Sequence, residues 1–223
     1  MQTETPKATI AVLLVEDHPM FRERLATVIS KRGAMSVCGE ADNVADALSL
    51  AESLHPDIAI VDITLRGSNG LDFLKDLKAR GIEMPVLVLS MHDEAIYAER
   101  VLRAGARGYI TKYEASSEVM AAIEQVLNGE IYLSRQMTAR MLGRFAVGNK
   151  AGNPGDVSAL TDRELDVFQR IGHGESARNI ASELHVGVTT VDTYRSRIKE
   201  KLGLRNGAEL QRRAMEWVKE NPA

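Results

Sequence analysis

Four short, mostly apolar stretches of this chain each lead into side chains able to handle a cation or a phosphate. Residues 10–15 lead into Glu16 and Asp17, residues 57–61 into Asp62, residues 85–89 into Ser90, and residues 109–111 into Lys112. An aspartate closing a strand is by itself an ordinary loop cap. Four such ends together are harder to dismiss, because the C-terminal ends of parallel strands share one edge of the sheet, where ligands bind. Three carboxylates brought to one edge repel each other and become tolerable around a small hard cation. Mg²⁺ takes one or two carboxylates and keeps open positions for water or phosphate oxygens. A lysine and a hydroxyl beside them would stabilise further oxyanions, which is the layout for phosphoryl transfer to a carboxylate.

The elements that must position these groups can be read in order. Each stretch is too short for a helix and reads as a strand; residues 10–15, all apolar, and the four apolar residues before Asp62 read as strands buried on both faces. Residues 35–39 supply another short strand, with Cys38 packing rather than reacting. Helical patterns follow at about 19–29, 44–54, 71–79, 94–104 and 117–127, with Pro19 suited to a first turn and Gly129 to a stop. Strand and helix alternate five times, which predicts an α/β domain built on a doubly wound, five-stranded parallel sheet.

With 223 residues, 44% hydrophobic and 26% charged, and a formal charge of −3, the chain has a globular profile and room for two ordinary domains. The single cysteine excludes an internal disulfide framework and fits a reducing cytosol. No apolar run approaches the roughly 20 residues of a bilayer span, and no signal core opens the chain. The expected location is therefore the cytoplasm, with no membrane partner. The five histidines are scattered singly and read as structural or exposed.

Residues 10–129 resemble a response-regulator receiver domain, which is flavodoxin-like in fold. The resemblance implies Asp62 as phosphoacceptor, Glu16 and Asp17 as the acidic pair holding Mg²⁺, and the Thr64 carbonyl as a further metal ligand. It likewise makes Ser90 and Lys112 the phosphoryl-binding pair, and Tyr109 the aromatic switch that turns inward on activation. Two positions depart from the family pattern. Arg66 and Tyr113 stand where prolines are common, and Tyr113 argues against the cis peptide many receivers carry there.

Past Gly129 the texture changes. Met137, Met141, Leu142 and Phe145 recur at helical spacing, and residues 148–155 are rich in turn formers, marking a tether. The expected division is a receiver at 8–130, a linker at 131–157 and a second domain at 158–221.

That second domain opens on the capping box Thr161-Asp162-Arg163-Glu164, with Leu160 and Leu165 placed as a hydrophobic staple. Four helices follow, and the second and third are joined by a tight turn, a helix-turn-helix arrangement. In the third helix Val191, Tyr194, Ile198 and Leu202 share one stripe at about 100° per residue and should pack inward. Asp192, Thr193, Ser196, Arg197 and Glu200 then face outward, with Arg195, Lys199, Lys201 and Arg205 along the flanks, where duplex phosphates would run. From residue 156 onward 11 basic residues balance 11 acidic ones, but residues 188–205 hold five basic against two acidic. The patch is local.

Residues 160–217 resemble the LuxR-type DNA-binding domain, through Leu160 to Glu164, Ile180-Ala181, Thr190-Val191 and Lys201-Leu202-Gly203. The two halves together resemble NarL/FixJ-type response regulators. That likeness implies Mg²⁺-dependent phosphorylation of Asp62 by a cognate histidine kinase, dimerisation on activation, and sequence-specific contact with double-stranded DNA through the third helix, Thr190 included. It implies a regulator rather than an enzyme. Asp192 replaces a frequent lysine and Tyr194 a frequent histidine. A carboxylate at Asp192 disfavours phosphate and can accept from a cytosine amino group, so base preference is expected to shift. A phosphohydrolase with an aspartyl nucleophile would want a second acid two residues after Asp62, where Thr64 stands.

Overall fold

The computed structural model describes residues 9–31, 33–65, 68–92, 94–114, 116–147 and 157–220. Arg66, Gly67 and the turn-rich stretch 148–155 lie outside the described residues. The chain divides into two compact units, residues 1–140 and 141–223.

The first unit is a parallel sheet of β1 (Ile10–Val15), β2 (Met35–Ala41), β3 (Ile58–Val61), β4 (Val86–Ser90) and β5 (Gly108–Thr111), in the order β2-β1-β3-β4-β5. Between them run α1 (Pro19–Ser30), α2 (Val44–Leu54), α3 (Gly70–Ala79) and α4 (Glu94–Ala104), and α5 (Ser116–Leu127) follows β5. Every residue of β3 and β4 is buried, because helices cover both faces of the central strands. Alternation assigns the faces. Val12, Leu14, Ile58, Ile60, Leu87, Leu89 and Ile110 pack with Leu25 and Ile29 of α1 and with Val119, Ile123 and Val126 of α5. Tyr109 is on the opposite face, with Tyr97 and Val101 of α4 also fully buried. Each such aliphatic side chain contributes about 1.5–3 kcal/mol on burial.

β2 runs past the predicted stop at Gly39. Its pairing with β1 shifts register between Val12 and Leu13, leaving Cys38 as the extra residue of a bulge. The strand lies at the sheet edge with mixed burial, so its sequence lacks the apolar run that marks the central strands. A small antiparallel ribbon of Thr64–Leu65 with Ser68–Asn69 lies between β3 and α3. It too escaped the sequence pattern, being only two residues long on each side.

After α5 comes α6 (Arg135–Val147), and the second unit holds α7 (Asp162–Gly172), α8 (Ala177–Glu183), α9 (Val188–Leu202) and α10 (Gly207–Glu220). The capping box is formed: Thr161 Oγ1 accepts the Glu164 N–H at 3.4 Å, and Glu164 Oε2 accepts the Thr161 N–H at 2.8 Å. Leu165, Phe168, Ile180, Val191, Ile198, Leu210 and Ala214 make the core, and the Phe168 ring meets Trp217 edge-on at 5.8 Å. Gly172 lets α7 and α10 touch, since a Cβ there would lie 2.5 Å from the Ala214 carbonyl oxygen. Among the described residues no helix is long and apolar enough to cross a membrane.

Candidate functional site

Register brings the strand ends together. Val15 pairs with Val61, Val61 with Val88, and Ser90 with Thr111. The Asp62 N–H donates to the Val15 carbonyl at 2.9 Å, and the Lys112 N–H to the Ser90 carbonyl at 2.8 Å. Gly70 seats the Asp62 turn from below. Its N–H donates to Ile63 O, and a Cβ there would sit 2.1 Å from the Asp62 carbonyl oxygen.

In the pocket so formed, Lys112 Nζ lies 2.8 Å from Asp62 Oδ2 and 2.5 Å from Glu16 Oε2, with all three side chains almost fully buried. The ammonium also stands over the Phe21 ring, 4.6 Å from its centroid. Burial pushes the Asp62 carboxyl up to about 6; Lys112 pulls it down, the Glu16 charge raises it again, and the Thr64 backbone N–H lowers it. Asp62 Oδ1 is buried with no hydrogen-bond partner. A buried carboxylate oxygen left unmatched is costly, and such a group marks a place where a cation or another ligand belongs.

Ligand atoms from Glu16, Asp17, His18 and Asp62 all lie within 4.8 Å of one another. The donor set is dominated by carboxylate oxygens, which suits Mg²⁺. His18 was set aside in the sequence with the other histidines, yet its Nδ1 is 3.1 Å from Glu16 Oε1 and 2.9 Å from Asp17 Oδ1. Its position beside Glu16 and Asp17, just before Pro19, was the available signal.

His92 is the second residue the sequence reading missed. Its Nε2 is 2.9 Å from Thr64 Oγ1, its N–H donates to Ser90 Oγ at 3.3 Å, and its carbonyl accepts the Tyr109 hydroxyl at 2.6 Å. Its ring packs on Tyr97, with centroids 4.7 Å apart. Tyr109 is fully buried, so its side chain is already turned inward in this structure. Thr64 stands in the ribbon two residues beyond Asp62. No described peptide bond is cis, the one before Tyr113 included.

In the second unit, Thr190, Asp192, Thr193, Ser196 and Arg197 are exposed on α9, while Tyr194, Arg195 and Lys199 are half-buried. Arg195 reaches back to Asp192, at 3.6 Å. Lys201 is engaged within the fold. Its Nζ is 2.6 Å from the buried carboxylate of Glu164, tying α9 to the cap of α7. Burial pushes the Glu164 carboxyl up, but hydrogen bonds from Lys201 and Thr161 outweigh it and hold the group below its usual range.

Residues 12–124 match the response regulator receiver domain, and residues 158–214 match the LuxR family of bacterial regulatory proteins. The chain is a LuxR-type response regulator. This regulator is 32% identical over 207 residues to the nitrate/nitrite response regulator NarL of Escherichia coli, covering 93% of this chain and 94% of NarL. It is 31% identical to the response regulator GacA of Pseudomonas aeruginosa, covering 90% and 93% of the two chains. Among solved structures, a LuxR-family two-component response regulator from Aurantimonas superposes on 63% of the regulator and all of its own chain, with a TM-score of 0.58 and 30% identity. The regulator thus pairs a two-component receiver with a DNA-binding domain and acts in transcription regulation.

Proposed function

We propose that phosphorylation of Asp62 controls DNA binding by α9. A histidine kinase or a small phosphodonor in the cytoplasm presents the phosphoryl group, and an Asp62 carboxylate oxygen attacks phosphorus as the donor leaves with the bonding pair. Lys112 Nζ and the Ser90 hydroxyl then hold the phosphoryl oxygens. Glu16, Asp17 and Asp62, with the Thr64 carbonyl, would hold Mg²⁺, whose charge offsets theirs and that of the incoming group. Burial keeps the nucleophile poorly solvated, and Lys112 keeps it ionised.

The observation that carries this reading is the pairing of a buried, unpartnered Asp62 Oδ1 with a buried Lys112 on the other carboxylate oxygen. One oxygen is held and the other awaits a ligand. The transferred charge biases the surface around α4 and β5, and two copies associate to place paired α9 helices on half-sites. Thr190, Asp192, Thr193, Ser196 and Arg197 face bases, while Arg195 and Lys199 flank them toward phosphates; Lys201 is the expected phosphate contact that Glu164 competes for. Footprinting on genomic fragments with and without phosphodonor tests the whole reading. Protection should strengthen with the donor, and equal protection by wild type and Asp62→Asn in its presence would contradict it.

A further inference from the structure

The segment after α5 stays on the receiver. Tyr132 adds to the outer edge of β5: its N–H donates to Arg107 O at 2.9 Å, and its carbonyl accepts the Tyr109 N–H at 3.0 Å. Gly108 makes room for it, as a Cβ there would lie 3.0 Å from Tyr132 Cβ. Ser134 then starts α6, its Oγ accepting the Met137 N–H at 3.1 Å and its carbonyl the Thr138 N–H at 2.9 Å. The Ser134 N–H itself donates to Glu94 Oε1, in the first turn of α4, at 2.8 Å. Met137 is buried, and Gln125 holds the Ile131 carbonyl at 2.8 Å.

The elements that anchor α6 are those that hold the pocket's hydrogen-bond chain. That chain runs from Ser90 Oγ to the His92 N–H, from the His92 carbonyl to the Tyr109 hydroxyl, and from the Tyr109 N–H to Tyr132. We propose that the Glu94–Ser134 hydrogen bond is a latch through which the state of the Asp62 pocket reaches α6. The latch rests on the reading of Asp62 as phosphoacceptor. A phosphoryl oxygen would accept a hydrogen bond from the Ser90 hydroxyl, whose own oxygen still accepts the His92 N–H, so the chain is kept and polarised rather than broken. His92 is then restrained from both sides, by Ser90 and by Tyr109. Glu94 has two competing uses, capping its own helix N-terminus or holding Ser134, and restraint of His92 two residues before it favours the second.

Amide hydrogen exchange on the full chain, with Mg²⁺ and with or without beryllofluoride as phosphoryl stand-in, tests this. In wild type, exchange should slow at residues 90–92 and, by about threefold or more, at residues 132–138. Glu94→Ala should keep the response at 90–92 and lose it at 132–138, with the Ser134 amide exchanging about tenfold faster without beryllofluoride. Glu94→Gln, which keeps an acceptor oxygen, should retain the response in part. A response at 90–92 with none at 132–138 in wild type overturns the latch and leaves the phosphoacceptor reading standing, as does a Glu94→Ala variant that responds like wild type. Silence at both segments overturns both.

Discussion

Lys112 holds one oxygen of the Asp62 carboxylate at 2.8 Å, while the other, equally buried, has no hydrogen-bond partner. The pair is therefore only half satisfied, and the Glu16 carboxylate also leans on the same ammonium. A receiver so built carries a charge its interior does not fully balance, as sites kept for function rather than stability do.

The stability cost of that charge has a definite pH window. Burial lifts the Asp62 carboxyl from an unfolded value of 3.8 to about 6. The folded state thus holds a proton more readily than the unfolded one, so the ionised group destabilises the fold above about pH 6, and the penalty fades as pH falls toward 4. At pH 7 without divalent ions, Asp62→Asn should be more stable than wild type by up to about 3 kcal/mol. Urea titrations should show the gap closing between pH 6 and pH 4; a gap independent of pH contradicts the account.

Gly70→Ala should damage the site without touching a charged group. Its methyl would stand 2.1 Å from the Asp62 carbonyl oxygen, so the backbone carrying the carboxylate must move. Overpacking of this kind costs about 1–3 kcal/mol. Phosphate incorporation should fall more than tenfold while circular dichroism stays native, since reacting groups tolerate little displacement. Unchanged incorporation would show that the turn has slack.

In the second unit, Lys201→Met leaves the buried Glu164 carboxylate with only its Thr161 partners. The domain should lose about 2 kcal/mol at pH 7. Glu164 is held below its ordinary 4.5, so the stabilisation it brings is complete above that value and disappears as pH drops through the lowered one. Thermal melts of wild type and Lys201→Met should therefore converge in acid. Melts that differ equally at pH 7 and pH 3 contradict this role.

On α9, Arg197 and Asp192 are both exposed, and their substitutions should separate affinity from preference. Asp192→Lys should change the selected sequence at one base pair and steepen the salt dependence of binding, whereas Asp192→Ala should change selection with a smaller effect on the salt slope. Arg197→Ala should weaken binding by about 1–3 kcal/mol. Selection from randomised duplexes, repeated at two salt concentrations, reads both; identical selected sequences for wild type and Asp192→Lys would remove Asp192 from the reading face.

Much of this was legible in the sequence because buried parallel strands write themselves as uninterrupted apolar runs, and residues 10–15, 58–61 and 86–89 do so. The capping box at Thr161 to Glu164 is equally local. What escaped is nonlocal or small. His92 meets Thr64 across a separation of 28 residues, the Cys38 bulge depends on the register of a neighbouring strand, and Gly70 matters only because the Asp62 turn folds over it. No periodicity announces such contacts. Lys201 shows the opposite failure: a basic residue on a reading helix looks free in the sequence, and its tie to Glu164 appears only once α7 and α9 are packed.

The central claim is that Asp62 receives a phosphoryl group. Incubation with a small phosphodonor and Mg²⁺, followed by intact-mass and peptide mapping, tests it most directly. Wild type should gain the mass of one phosphoryl group on the peptide holding Asp62, lose it on removal of Mg²⁺, and show none in Asp62→Asn while that variant stays folded. Stable incorporation in folded Asp62→Asn, or a modified residue elsewhere in wild type, would contradict it.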